Sequence, residues 1–157
     1  MAMPRVSTDP TLNQRLEGFK RGLGSSCRIS WVARIPLGPA MQAQARVVIR
    51  SRVESARRPP EAIVGLTNTC TLGAIEAMDD LGIAWGESVG LAGIDDFPAT
   101  SLLRPAVTVW AQPMEQIAAN AVRLLLDSIT KPKRPARIQS VLLDPVLMRR
   151  DSLLGRP

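Results

Sequence analysis

The chain has 157 residues, 45% hydrophobic and 22% charged, with a net charge of +6; this is globular composition at single-domain length, and no run approaches the ~18 apolar residues of a bilayer span. With no histidine and no tyrosine, Ser-His-Asp and Cys-His nucleophile systems are excluded, and two cysteines build neither a four-ligand Cys/His zinc site nor a disulfide framework. The charge is divided, +8 over residues 1–58, −7 over 59–130 and +5 over 131–157, so no continuous stripe tracks phosphates, and direct nucleic-acid binding is disfavoured.

Asp9-Pro10 followed by Leu12, Leu16, Phe19 and Leu23 predicts a capped helix that Gly24 ends. Arg28 to Ile35 alternates apolar and polar residues, predicting a half-buried strand with Ile29, Trp31, Ala33 and Ile35 inward. Pro39 to Arg57 predicts a second helix on Met41, Ala45, Val48, Ile49 and Val53, with Arg46, Arg50, Arg52, Arg57 and Arg58 as a solvated face. Ala62 to Leu66 is wholly apolar, as a strand covered on both faces of a parallel sheet is, and a helix from about Cys70 to Leu81 follows, with Leu72, Ile75, Met78 and Leu81 inward and Gly82 as its stop. Ser88 to Ile94 repeats the buried-strand pattern. After a short segment with Leu102 and Leu103, Val107 to Trp110 reads as another strand. Met114, Ile117, Ala118, Ala121, Leu124 and Leu125 define an amphipathic helix, and Arg137–Leu143 and Val146–Arg149 are closing strands.

Strands alternating with helices predict an α/β lobe, an open and mostly parallel sheet with helices on both faces. Ligands of such sheets meet the carboxyl ends of the strands, where this reading places Thr67-Asn68, Asp95-Asp96 and Gln112 on one rim. Each has a structural alternative: Thr67, Asn68 and Thr69 as helix caps, Asp95 and Asp96 as caps of the segment after Phe97-Pro98, and Gln112 as a loop residue. Cys27 and Cys70 read as buried or inert thiols, and Lys20, Lys131 and Lys133 sit in charged or proline-rich surroundings. No catalytic, cofactor or metal constellation is visible. The amino-terminal residues lack the apolar core of a secretory signal, so the cytoplasm is expected.

Several strings in one order resemble the effector-sensing region of the lactose-repressor/galactose-repressor family of bacterial regulators. Gln14-Arg-Leu-Glu-Gly-Phe19 is similar to the family's helix opening the second lobe, and Thr71-Leu-Gly-Ala-Ile-Glu-Ala77 to its helix after a ligand-contacting strand. Val89-Gly-Leu-Ala-Gly-Ile-Asp-Asp-Phe-Pro98 resembles "VSVVGFDDIP", and Leu102-Leu-Arg-Pro-Ala-Val-Thr-Val-Trp-Ala-Gln-Pro113 resembles "LLTPPLTTVRQP". The resemblance covers about residues 7 to 152 and implies a type I periplasmic-binding-protein-like fold. Residues 1–157 would form chiefly the second of two lobes, with 1–10 near the inter-lobe crossover and no helix-turn-helix domain present.

It also implies a small polar effector, a sugar or nucleoside-like molecule, held between lobes, a homodimer, and DNA contact only through a segment absent from this chain; no membrane and no cofactor are implied. Carried over residue by residue, Arg15, Asp95 and Gln112 reach the cleft. Thr67 takes the position of the family's ligand-contacting asparagine, and Asn68 the next. Ile35 falls near where an aromatic often stacks on the ligand. The helix from Leu72 to Met78 with its flanking strand is implied as a dimer seam. The alternatives are a transport-system solute-binding protein, an enzyme on the same kind of sheet, and a non-binding dimerisation remnant.

Overall fold

The computed structural model describes residues 9–25, 28–130 and 139–153. Cys27, Lys131, Lys133, residues 1–8 of the expected crossover and the start of the expected strand from Arg137 lie outside them.

Helix α1 (Pro10–Leu23) starts as its sequence requires: the Asp9 carboxylate accepts from the amides of Thr11 and Leu12, and proline fills the first turn. Gly24 ends it at φ 56°, a left-handed conformation that a residue without Cβ adopts freely. Helix α2 (Met41–Ser55) buries Met41, Ala45 and Ile49, whereas Val48, expected inward, is exposed. Strand β1 (Ala62–Gly65) leads into α3 (Asn68–Asp80), which Thr67 caps and Gly82 follows at φ 63°. Strand β2 (Gly90–Ile94), a short helix α4 (Pro98–Leu102), strand β3 (Thr108–Ala111), helix α5 (Met114–Thr130), strand β4 (Val146–Met148) and a 3-10 turn at Asp151–Leu153 complete the order.

The four strands form one open sheet in the order β1-β2-β3-β4. The first three are parallel, in register Ile63–Leu91 and Gly93–Val109, and β4 closes the sheet antiparallel through Trp110–Leu147. The open, mostly parallel α/β sheet is the expected one. Helices α3 and α2 stack over one face, where Ile63, Leu91, Val107 and Val109 meet Ala74, Ile75 and Met78. The 3-10 turn lies against β2 and β3. A Cβ on Gly93 would come within 2.6 Å of the Thr71 hydroxyl oxygen, and one on Gly65 would clash with it harder still. These two glycines therefore let α3 settle directly on β1 and β2. Gly73 does the same for α2, since a Cβ there would lie 2.6 Å from the Ala45 methyl.

Two further expectations, both of strands, fail. Arg28–Ile35 alternates in burial as anticipated, ending in buried Ile35, yet forms no strand; alternation selects a side, while a strand also needs a hydrogen-bonded neighbour. Residues 139–143 are likewise not a strand. Helix α5 buries none of its residues. Its half-buried positions are Asn120, Leu124 and Asp127, while Met114, Val122, Leu125, Leu126 and Ile129 face outward. The amphipathic stripe is real, but nothing among the described residues covers it.

Candidate functional site

Because β1, β2 and β3 run parallel, their carboxyl ends share one edge, and the chain leaves that edge through Leu66-Thr67, Asp95 and Gln112. Asp95 is the first residue beyond β2. Its backbone takes φ 76°, the described non-glycine residue with a positive φ, and its amide donates to the Trp110 carbonyl at 2.9 Å. A left-handed non-glycine residue stores strain that only well-determined surroundings sustain.

Those surroundings deliver two other candidates to the same carboxylate. The Gln112 side-chain amide, one residue past β3, donates to Asp95 Oδ1. Arg15, projecting from α1, lies 3.8 Å from Asp95 Oδ2 and donates through Nη1 to the Leu66 carbonyl at 2.8 Å. The side chains of Arg15 and Asp95 are 22% and 24% exposed, so the pair is reachable from solvent yet partly shielded. Unspent capacity remains: a guanidinium has five N–H donors, and an ionised carboxylate about four acceptor positions. Residues 15, 95 and 112, remote in sequence, thus form a cluster of donors and acceptors suited to hydroxyl or amide groups.

Thr67 and Asn68 are engaged differently. The Thr67 hydroxyl accepts from the Cys70 amide at 3.1 Å, the capping role weighed above. Asn68 Oδ1 accepts from the Thr69 amide and hydroxyl at 2.7 and 3.1 Å. Both sit on the rim at the start of α3, turned toward the helix end. Ile35 belongs to the apolar core rather than the rim, so it is no substitute for a stacking aromatic. On the helix of the implied seam, Ala74, Ala77 and Met78 are fully enclosed within this chain with α2 packed over them, while Leu72 and Glu76 are half-buried. The other cysteine expectation holds in form, since Cys70 is half-buried and burial pushes its thiol pKa up.

Asp96 takes a structural part in which sequence reasoning foresaw only half. It accepts from the Thr100 hydroxyl at the start of α4, as a cap does. It also receives a two-pronged contact from Arg150, with Nη1 and Nη2 at 2.9 and 2.8 Å from its two oxygens. That hydrogen bond from Arg150 is the main reason the Asp96 carboxyl sits below its ordinary pKa, and the neighbouring positive charge adds to it. Fifty-four residues separate the partners, so no local spacing announces the pair. Among the described residues no helix is long and apolar enough to cross a membrane, and no group of three or more His, Cys, Asp or Glu could hold a metal ion.

Residues 1–153 match the family described as periplasmic binding protein-like domain. The transcriptional repressor PurR of Pectobacterium carotovorum is 26% identical over 99% of this chain and 45% of its own length. A regulatory protein of the LacI family from Chloroflexus aggregans is 26% identical with a TM-score of 0.73, over 89% of this chain and 50% of that one. A LacI-family regulator from Enterococcus faecium with bound ribose shares the fold at 19% identity and a TM-score of 0.73, over 90% of this chain and 51% of that one. The chain spans about half the length of these relatives.

Proposed function

The chain belongs to the periplasmic binding protein-like domain family, and from that premise we propose that it is the effector-sensing lobe of a bacterial repressor-type transcription regulator. The effector is a small polar molecule, a sugar or nucleoside-like compound, held at the rim by Arg15, Asp95 and Gln112, with Thr67 and Asn68 beside them. The observation that carries this reading is the convergence of Arg15 and Gln112 on the two oxygens of Asp95 at the carboxyl end of the sheet. An ionised carboxylate takes hydrogen bonds from two hydroxyls, and the guanidinium and amide supply planar donors beside it. The curated relative's name, repressor, supports the regulatory class.

Signalling in this reading makes and breaks no bond. Ligand held between two lobes favours their closed arrangement, and that differential affinity, typically ~1–3 kcal/mol of coupling, is passed to a DNA-binding segment. A facing lobe completes the cleft. Away from the rim, α5 presents an outward apolar stripe with Leu125, Leu126 and Ile129 at 55–64% exposure. Two copies pair, and the assembly works in the cytoplasm without a cofactor.

Calorimetric titration of the 157-residue chain with ribose, galactose and adenosine in turn tests the proposal. Saturable binding of one of them is expected, with Asp95→Asn and Arg15→Met each weakening it by ~10- to 150-fold, the equivalent of the ~1.5–3 kcal/mol of a charge-assisted hydrogen bond. Equal affinity in wild type and both variants overturns the site. No binding of any of the three, with dimers in light scattering, replaces the sensor by a pairing module.

A further inference from the structure

Asp95 holds its left-handed backbone at the mouth of the site, and the residues fixing the amino side of that conformation are plain: its amide is bound to the Trp110 carbonyl. The carboxyl side is held by Asp96, whose side chain sits in a closed ring of contacts. Arg150 grips both Asp96 oxygens, and through Nη1 it also donates to the Val107 carbonyl at 2.9 Å. Thr100 donates to Asp96 Oδ1, and the Thr100 carbonyl accepts from the Val107 amide at 2.7 Å. Arg150 is itself fastened to β3: its amide donates to the Thr108 hydroxyl at 3.0 Å, and that hydroxyl donates to the Arg150 carbonyl at 2.9 Å. The loop from the end of β2 to the start of β3 is thus clamped to the sheet by one side chain from the segment after β4.

We propose that Arg150 is a positioning residue for the site: by locking Asp96 it holds Asp95 in its left-handed conformation and keeps the Asp95 carboxylate aimed at Gln112 and Arg15. The physical case is that strained backbone persists only where several contacts determine it together. With the Arg150 fork removed, Asp96 loses its cation, the peptide between residues 95 and 96 is free to turn, and Asp95 relaxes toward ordinary φ, carrying its carboxylate off the rim. Lysine is no substitute, because one ammonium cannot span both oxygens and the Val107 carbonyl in a fixed plane. The importance of the clamp for ligand rests on the reading of the preceding section; the clamp itself is read without ligand.

Amide hydrogen exchange on the full chain is the test, with Ser152→Ala as the comparison variant. Ser152 also ties the carboxyl-terminal segment to the sheet, donating to the Leu91 carbonyl at 2.6 Å and accepting from the Thr108 amide at 2.8 Å, and it does not touch Asp96. In Arg150→Met the Asp95 amide is expected to exchange at least about tenfold faster relative to the Gly93 amide, and the Gln112 side-chain amide resonances to move toward those of a solvated amide. Arg150→Lys, which preserves charge and is the fallback should the methionine variant not fold, should give the same changes at smaller amplitude. Ser152→Ala should lower global stability with the Asp95-to-Gly93 ratio and the Gln112 resonances unmoved. An unaltered ratio in both Arg150 variants, or an equal change in Ser152→Ala, overturns the assignment. Failure of the sugar and nucleoside titrations alongside a changed ratio rejects the effector reading and leaves the clamp standing.

Discussion

Helices α3 and α5 each follow a parallel strand, yet α3 buries six of its thirteen residues and α5 none of its seventeen. The difference does not come from apolar content, which α5 has in plenty with Leu124, Leu125, Leu126 and Ile129. It comes from what each helix can approach. Gly73, Ala74 and Ala77 thin α3 so that α2 closes on one side, and Gly65 and Gly93 thin the sheet so that Thr71 seats on the other. Helix α5 has Asn120, Leu124 and Asp127 half-buried, with Asn120 and Asp127 held by Arg123 of the same helix, and presents its broad stripe outward. An amphipathic pattern therefore states that a face is meant for burial without naming what buries it.

The contrast can be broken first at its strongest point. Met78→Ala, at a position with no solvent exposure, should cost ~2–5 kcal/mol in urea unfolding, because an enclosed side chain leaves a cavity that helices pinned on both sides cannot close. A value near zero would mean that the α2–α3–sheet stack is looser than its packing implies.

A second measurement sharpens the comparison at the loop between β2 and β3. The folded Asp96 carboxyl titrates below its unfolded value of 3.8, chiefly through the Arg150 hydrogen bond. A depressed acid contributes stability that is complete above that unfolded value and is lost as pH falls through it toward the folded pKa. Unfolding free energy should thus decline below about pH 4, and Asp96→Asn should remove that share of the decline, about 1 kcal/mol for a pair this accessible. Identical pH slopes in the two proteins would show that the clamp carries no net charge energy.

The smallest expected effect lies on α5. Leu125→Ala, at 59% exposure, should change the stability of the isolated chain by less than ~0.5 kcal/mol, since the residue touches little to lose. A loss above ~1 kcal/mol, or one that grows with protein concentration, would reveal a partner seated on the stripe.

Much of the fold was legible because its signals are local. Asp9-Pro10 and Gly24 delimit α1, the apolar runs around Ile63 and Leu91 mark the buried strands, and Gly82 follows α3 as expected. The rim was legible through the rule that parallel strands end together, which gathered Asp95 and Gln112; Arg15 came from resemblance alone. What escaped was non-local. The alternation in Arg28–Ile35 could not reveal that no described strand pairs with it. Arg150 and Ser152 lie at the far end of the chain from the groups they satisfy, and no periodicity joins them to Asp96 or Leu91.

Between Gln112 and the first residue of α5 stands a single proline, whose ring fixes its own φ and leaves little slack in the joint. The Met114 amide donates back to the Gln112 carbonyl at 2.9 Å, and the Ile117 amide to the Pro113 carbonyl at 3.0 Å, so the joint is stitched into the first helical turn. Helix α5 is accordingly a lever whose fulcrum adjoins the residue touching Asp95. The start of α5 and the backbone of Gln112 thus share one short joint, and any change in the direction of the helix has to be absorbed there.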